Sequence, residues 1–133
     1  MGPIATVTHV GDGKFDASTA SGHTVRVEGG EKETGPGPME LVLVALGSCS
    51  AVTVVEFLNK MRQPFTSLEV EVSGERAEKP PRVWTKIHMR YLVGGDCDHP
   101  RVERAIELTE TKYCSVYTML EKTAAMSHTI EFV

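Results

Sequence analysis

The run Pro38-Met39-Glu40-Leu41-Val42-Leu43-Val44-Ala45-Leu46-Gly47-Ser48-Cys49-Ser50-Ala51 decides how the rest of the chain is read. From Leu41 to Val55 there is no charge, and Leu41 to Leu46 is apolar on every side. As a helix those 15 uncharged residues rise only about 22 Å, short of the ~30 Å hydrocarbon layer of a bilayer. Gly47, Ser48, Ser50 and Thr53 weaken a membrane reading further. A buried core helix over 38–61 fits instead. Pro38 is tolerated in its first turn, Lys60 and Arg62 suit its C-terminal end, and Pro64 forbids continuation.

Upstream, short runs alternate in period two between turn residues. Thr6-Val7-Thr8-His9-Val10 precedes Gly11-Asp12-Gly13, and His23-Thr24-Val25-Arg26-Val27-Glu28 follows Ser21-Gly22, which predicts an antiparallel meander over 5–28. Downstream, Leu68, Val70 and Val72 alternate with polar residues, as do Ile87, Met89, Tyr91 and Val93. The polar turn Glu78-Lys79-Pro80-Pro81-Arg82 joins them into a hairpin over 66–93. Val102, Ala105, Ile106, Thr109, Tyr113, Val116, Tyr117 and Leu120 form an amphipathic stripe, so 99–124 is helical, with a bend near Tyr113-Cys114-Ser115 and Ser115 as a cap. The alternating tail at 127–133 reads as a last strand. The expectation is one α+β domain with mostly antiparallel sheets.

Composition agrees with a globular chain. The 133 residues are 41% hydrophobic and 24% charged, which excludes a disordered tail, a collagenous repeat and a disulfide miniprotein. The net charge of −4 gives no attraction to phosphate backbones, so no nucleic-acid role is expected. No glycine-rich phosphate loop, metal-ligand spacing or cofactor motif appears, so neither a metal nor a cofactor is expected. Three cysteines make a poor disulfide framework, and the start Met1-Gly2-Pro3-Ile4-Ala5-Thr6 has no signal-like core. A reducing cytoplasmic setting is therefore expected. There a cysteine is either a small buried hydrophobe or a reactive thiol.

Cys49 lies midway along the apolar helix, flanked by Ser48 and Ser50, with Gly47 lowering helix stability by about 1 kcal/mol relative to alanine. Glycine is kept at such a position where a backbone or ligand comes close, although a plain core cysteine fits too. Cys114, in Lys112-Tyr113-Cys114-Ser115-Val116, has a lysine nearby and a helix start after it, either of which lowers a thiol pKa. A helix-face core cysteine is again the plain alternative. Cys97 sits between Asp96 and Asp98, which disfavour a thiolate, and reads as a loop cysteine. Glu56, seven residues after Cys49, shares its helix face as a candidate carboxylate or as a charge emerging into solvent. His9, His23 and His128 fall on strands and read as satisfied or solvent-facing histidines.

Two of these segments carry a resemblance. Pro38 to Ala51 resembles the first-cysteine helix of the OsmC/Ohr family, and Lys112-Tyr113-Cys114-Ser115-Val116 resembles its second-cysteine motif, in the same order and at a fitting separation. The likeness extends over most of the chain and is closest to the YhfA-like branch. It implies an intertwined homodimer with sheets packed around central helices. It also implies thiol peroxidase chemistry on organic hydroperoxides, with Cys49 as the peroxidatic thiol, Cys114 as the resolving thiol and a dithiol as reductant. The sequence departs from the pattern twice. Met39 stands where the peroxidases carry a glutamate, with Glu40 beside it, and the N-terminal strands offer Lys14 where those proteins carry an arginine. Glu40, Lys14 and Glu56 are the candidate supporting charges. The competing expectations are a non-enzymatic module binding an apolar or thiol-reactive small molecule, and a structural domain with inert cysteines.

Overall fold

A computed structural model describes all residues from Met1 to Val133. They form two compact units, Met1–Val42 and Leu43–Val133.

The first unit is a three-stranded antiparallel meander of β1 (Ala5–Gly11), β2 (Lys14–Thr19) and β3 (Thr24–Glu28), in that spatial order. Asp12 and Gly13 turn the first hairpin with φ of 50° and 69°, where glycine meets no steric penalty. Arg26 pairs across the sheet with Asp16 at 2.7 Å. The glycine- and proline-rich connection that follows is pinned on the buried Glu28. Its carboxylate accepts from the Thr34 N–H, the Thr34 hydroxyl (3.0 Å) and the Gly35 N–H, while its own N–H donates to the Pro36 carbonyl at 3.0 Å.

Helix α1 (Pro38–Lys60) begins here. The Gly37 N–H donates to Glu40 Oε1 at 3.0 Å, the reach-back bond of a capping box, and this satisfies a donor that the first turn leaves open. The other end closes by a Schellman motif. Arg62 adopts a left-handed φ of 55°, its N–H donates to the Asn59 carbonyl, and the Gln63 N–H reaches the Leu58 carbonyl at 2.9 Å.

In the second unit, β4 (Phe65–Arg76) and β5 (Trp84–Gly95) form the antiparallel hairpin, and β6 (Ala125–Phe132) adds to β5 in parallel. The order is β4-β5-β6. Three of the four strand pairings in the chain are thus antiparallel. A parallel partner requires a long crossover, supplied here by α2 (His99–Leu108), a π-helical turn (Thr109–Tyr113) and α3 (Ser115–Leu120). The Asp98 side chain caps α2 by accepting from the Arg101 N–H at 3.2 Å.

The alternation in β5 buries Ile87, Met89, Tyr91 and Val93 against Leu46, Val54 and Leu58 of α1 and Val102, Ala105 and Ile106 of α2. Although α1 is apolar all round, it buries only the stripe Leu46, Ser50, Val54 and Leu58, one residue per turn, and leaves Val44 and Val52 about 60% exposed. By length and composition this 23-residue helix could cross a membrane. The fully buried Leu46, Val54 and Leu58 make it instead a wall of the unit's own core.

Two expectations are corrected. Tyr113 does not continue the buried stripe: it is half exposed, and Cys114 takes the inward place. The reason is the π-turn, in which the Cys114 N–H donates to the Thr109 carbonyl five residues back at 2.7 Å. The extra residue moves the inward position on by one. Nor does Ser115 cap α3. That role falls to Cys114, whose Sγ accepts from the Tyr117 N–H at 3.4 Å.

Candidate functional site

Cys49 sits on α1 one residue from the buried stripe and is half-buried, while Cys114 is fully buried at the start of α3. The elements on which they lie bring them together. No disulfide joins them, and the Cys114 thiol acts on Cys49 as a hydrogen-bond donor. Close packing of a side chain accounts for Gly47: a Cβ there would stand 3.2 Å from Val72 Cγ2 of β4, so even alanine would press on that methyl group and require it to shift by a few tenths of an ångström.

The electrostatics of the two sulfurs differ. Burial raises the Cys49 thiol pKa, but the Val116 N–H, the Cys114 thiol and the Ser115 N–H donate to it and outweigh burial, leaving it below the ordinary 9.0. These donors are the free N–H groups of the first turn of α3, which point at Cys49 because Cys114 turns the chain there. Cys114 is pushed up to about 11, chiefly by burial and further by the neighbouring Cys49 sulfur. The Tyr117 N–H pulls the other way and is outweighed. The local features expected to activate Cys114 therefore act elsewhere. The helix start serves Cys49, and the Lys112 ammonium lies over the Tyr113 ring at 5.6 Å. Of the two thiols, Cys49 is thus the more easily ionised, and Cys114 is the one held as the thiol. Cys97 is buried, with its pKa raised by burial and by Asp96.

A groove of about 330 Å³ lies along the C-terminal half of α1, lined by Thr53, Glu56, Phe57, Lys60 and Tyr113. The Phe57 and Tyr113 rings meet edge to face at 5.2 Å, and Lys60 stands 5.9 Å over Phe57. Glu56 is at the exposed rim. The other two supporting candidates lie in the first unit. Glu40 accepts the capping hydrogen bond from Gly37, and Lys14 stands opposite Glu28 in the β2–β3 register, where its charge helps to lower the Glu28 pKa.

Sequence reasoning missed a buried polar chain beside the thiols. The Ser50 hydroxyl bonds to Tyr91 OH at 2.8 Å, Tyr91 OH donates to Glu110 Oε2 at 2.9 Å, and His128 Nδ1 meets Glu110 Oε1 at 2.7 Å. Burial raises the Tyr91 pKa strongly, with the Glu110 charge adding to it. Burial likewise takes Tyr117 up to about 12, again with a contribution from Glu110. The available signal was Glu110 itself, four residues after Ile106 and eight after Val102, an acid on the apolar face of a helix. His128, read as an ordinary strand histidine, is its partner.

No group of three or more histidine, cysteine or acidic side chains is arranged to hold a metal ion.

Comparison with known proteins agrees with the architecture. Protein YhfA of Escherichia coli (strain K12) is 42% identical over 120 residues, covering 90% of each chain. The crystal structure of a hypothetical protein from Aquifex aeolicus VF5 superposes with a TM-score of 0.84 at 30% identity, covering 97% of this chain and 96% of that one. The organic hydroperoxide resistance protein OsmC from Legionella pneumophila, titled a predicted redox protein, shares the fold at a TM-score of 0.73 with 10% identity, covering 96% of this chain and 95% of the other. The family described as OsmC-like protein matches residues 29–129, a span that takes in both cysteines, and with the relationship to YhfA it makes this chain a member of the OsmC-like family.

Proposed function

We propose that this chain is a thiol-dependent redox protein that reduces organic hydroperoxides through Cys49 and Cys114. The observation that carries the reading is the asymmetry of the pair: two backbone N–H groups and the Cys114 thiol donate to Cys49, while Cys114 is buried and held protonated. The Cys49 thiolate attacks the terminal peroxide oxygen. The O–O bond breaks, a sulfenic acid forms, and the departing alkoxide takes up a proton to become an alcohol. The Cys114 sulfur then displaces the sulfenic hydroxyl, its proton leaves in the water formed, and the disulfide results. A dithiol restores both thiols by exchange and is itself oxidised to a disulfide.

In this reading Glu40, Glu56 and Lys14 are supporting charges, tested by Gln or Met replacement in the same assay. The protein works as a homodimer in the cytoplasm, a state supported by the uncovered face of α1 around Val44 and Val52. The apolar setting of Cys49 on α1, whose next turns carry Phe57 and the groove it shares with Tyr113, favours an organic hydroperoxide over hydrogen peroxide.

The deciding experiment is consumption of cumene hydroperoxide with dihydrolipoamide, together with mass spectrometry after one equivalent of peroxide. Turnover and a stoichiometric Cys49–Cys114 disulfide are expected. Slow oxidation spread over all three thiols, Cys97 included, would overturn the redox reading. The second reading, a small-molecule-binding module in the same fold, is favoured by the structural partners that Glu40 and Lys14 already have. Saturable binding of an apolar ligand without peroxide turnover would establish it instead.

A further inference from the structure

Glu110 is a carboxylate in a place where carboxylates are rare. Its side chain is 7% exposed, among Ile106, Tyr91 and the fully buried Cys114. Burying a carboxyl group is unfavourable unless its oxygens find hydrogen-bond partners, and an apolar residue would fill such a site without that requirement. Here both oxygens are satisfied, Oε2 by Tyr91 OH at 2.9 Å and Oε1 by His128 Nδ1 at 2.7 Å. Tyr91 OH donates to Glu110, and Ser50 donates in turn to the Tyr91 oxygen.

The placement of the chain gives it meaning. Ser50 is the residue after Cys49 on α1. Glu110 lies in the π-turn whose closing N–H belongs to Cys114. Tyr91 and His128 are on β5 and β6, the two strands between which the crossover returns. The polar chain therefore ties the helix that carries one thiol to the turn that carries the other, through the sheet that supports both. A π-turn has longer-range and less regular bonding than the α-helix it interrupts, so it persists where tertiary contacts hold it.

We propose that Glu110 is a positioning residue. Through Tyr91 and Ser50 on one side and His128 on the other, it holds the π-turn in the form that keeps Cys114 buried and in register with Cys49. Its consequence for turnover rests on the redox reading above; its consequence for the burial of Cys114 does not.

Native-state alkylation with iodoacetamide, quantified at each cysteine by mass spectrometry, separates the two. Cys97 serves as the internal control, because it is also buried and lies outside the polar chain. Tyr91→Phe, which is isosteric, and Glu110→Ala should each raise Cys114 labelling about tenfold through local opening, with Cys97 changing by less than about twofold. Glu110→Gln keeps an acceptor for Tyr91 and a donor for the imidazole, and should label like the wild type. A parallel rise at Cys97 and Cys114, which general loosening would give, overturns the proposal. So does an unchanged Cys114. Equilibration with reduced and oxidised dithiothreitol then reads the potential of the pair, and Tyr91→Phe should lower the disulfide-to-dithiol ratio about threefold or more. An unchanged ratio overturns the functional part. If the wild type forms no Cys49–Cys114 disulfide while the labelling pattern holds, the redox reading fails and the positioning role stands.

Discussion

The Cys114 thiol is hydrogen-bonded to Cys49 while lying wholly out of solvent, and it also caps the helix whose first N–H groups are aimed at Cys49. One residue thus supplies the partner sulfur, the turn and, through that turn, the donors that favour the other thiolate. Cys114 has two structural duties besides any chemical one.

Separate replacement of the thiols should divide their roles. Cys49→Ser should abolish hydroperoxide consumption. Cys114→Ser should leave a Cys49 sulfenic acid that dimedone traps, seen as an adduct on the Cys49 peptide by mass spectrometry. Turnover that survives Cys49→Ser would end the assignment.

The difference in thiol acidity is measurable in the wild type. Rates of iodoacetamide labelling against pH, followed at each peptide, should rise through a midpoint below 9.0 for Cys49, because its thiolate accepts backbone N–H bonds. Cys114 should stay unreactive to nearly pH 11, since burial disfavours its thiolate. A reversed order would contradict the asymmetry.

Alkaline stability follows from the same burial. An unfolded cysteine ionises near 9.0, whereas folded Cys114 holds its proton to about 11. Between those values the unfolded chain has lost a proton that the folded chain retains, so this contribution is whole below pH 9 and is lost as the pH rises toward 11. Urea unfolding of the reduced protein should show wild-type stability falling more steeply over that window than Cys114→Ser. Equal slopes would be inconsistent with a buried, protonated Cys114.

These contrasts show what could be read from residue order alone. The apolar run, the alternating strands and the two cysteine motifs were legible because each is a local pattern with its own period. The capping of α3 and the burial of Cys114 were not. Both depend on a single π-type hydrogen bond from Cys114 to Thr109, and extrapolating the α-helical stripe past it placed Tyr113 inside. The parallel register of β6 was likewise hidden, because alternation fixes a strand's faces and not its partner or direction. The polar chain from Ser50 to His128 links residues 41, 19 and 18 positions apart in sequence, and only the fold brings them together.

The bare face of α1 predicts association. Sedimentation equilibrium should give twice the chain mass of 14.5 kDa, and Val52→Lys should shift the protein toward the monomer, because Val52 is apolar and 60% exposed. A wild-type protein that sediments as a monomer at micromolar concentration would remove the dimer from the proposal.

Arg62 offers a test of the helix end that leaves the thiols alone. It holds a left-handed φ of 55° at the position where a Schellman motif favours glycine. Arg62→Gly should raise unfolding stability by about 1 kcal/mol, read from the urea midpoint. A loss of stability would mean that the arginine side chain contributes more there than its backbone strain costs.

The π-turn at Thr109–Tyr113 has a consequence for tolerance to insertion and deletion. A helix advances about 100° per residue, so the same sequence run as ordinary α-helix would turn position 113 inward and carry the Cys114 sulfur to a different azimuth; the extra residue of the π-turn brings the sulfur back to the inward face. Substitutions in that stretch alter a contact; an inserted residue alters the phase of everything after it. The location of the second thiol is therefore encoded as a count of residues as much as by the cysteine itself: one residue inserted here would carry the sulfur off the inward face while leaving every side chain of the pair intact, whereas one residue deleted would be taken up by reversion of the π-turn to α-helix.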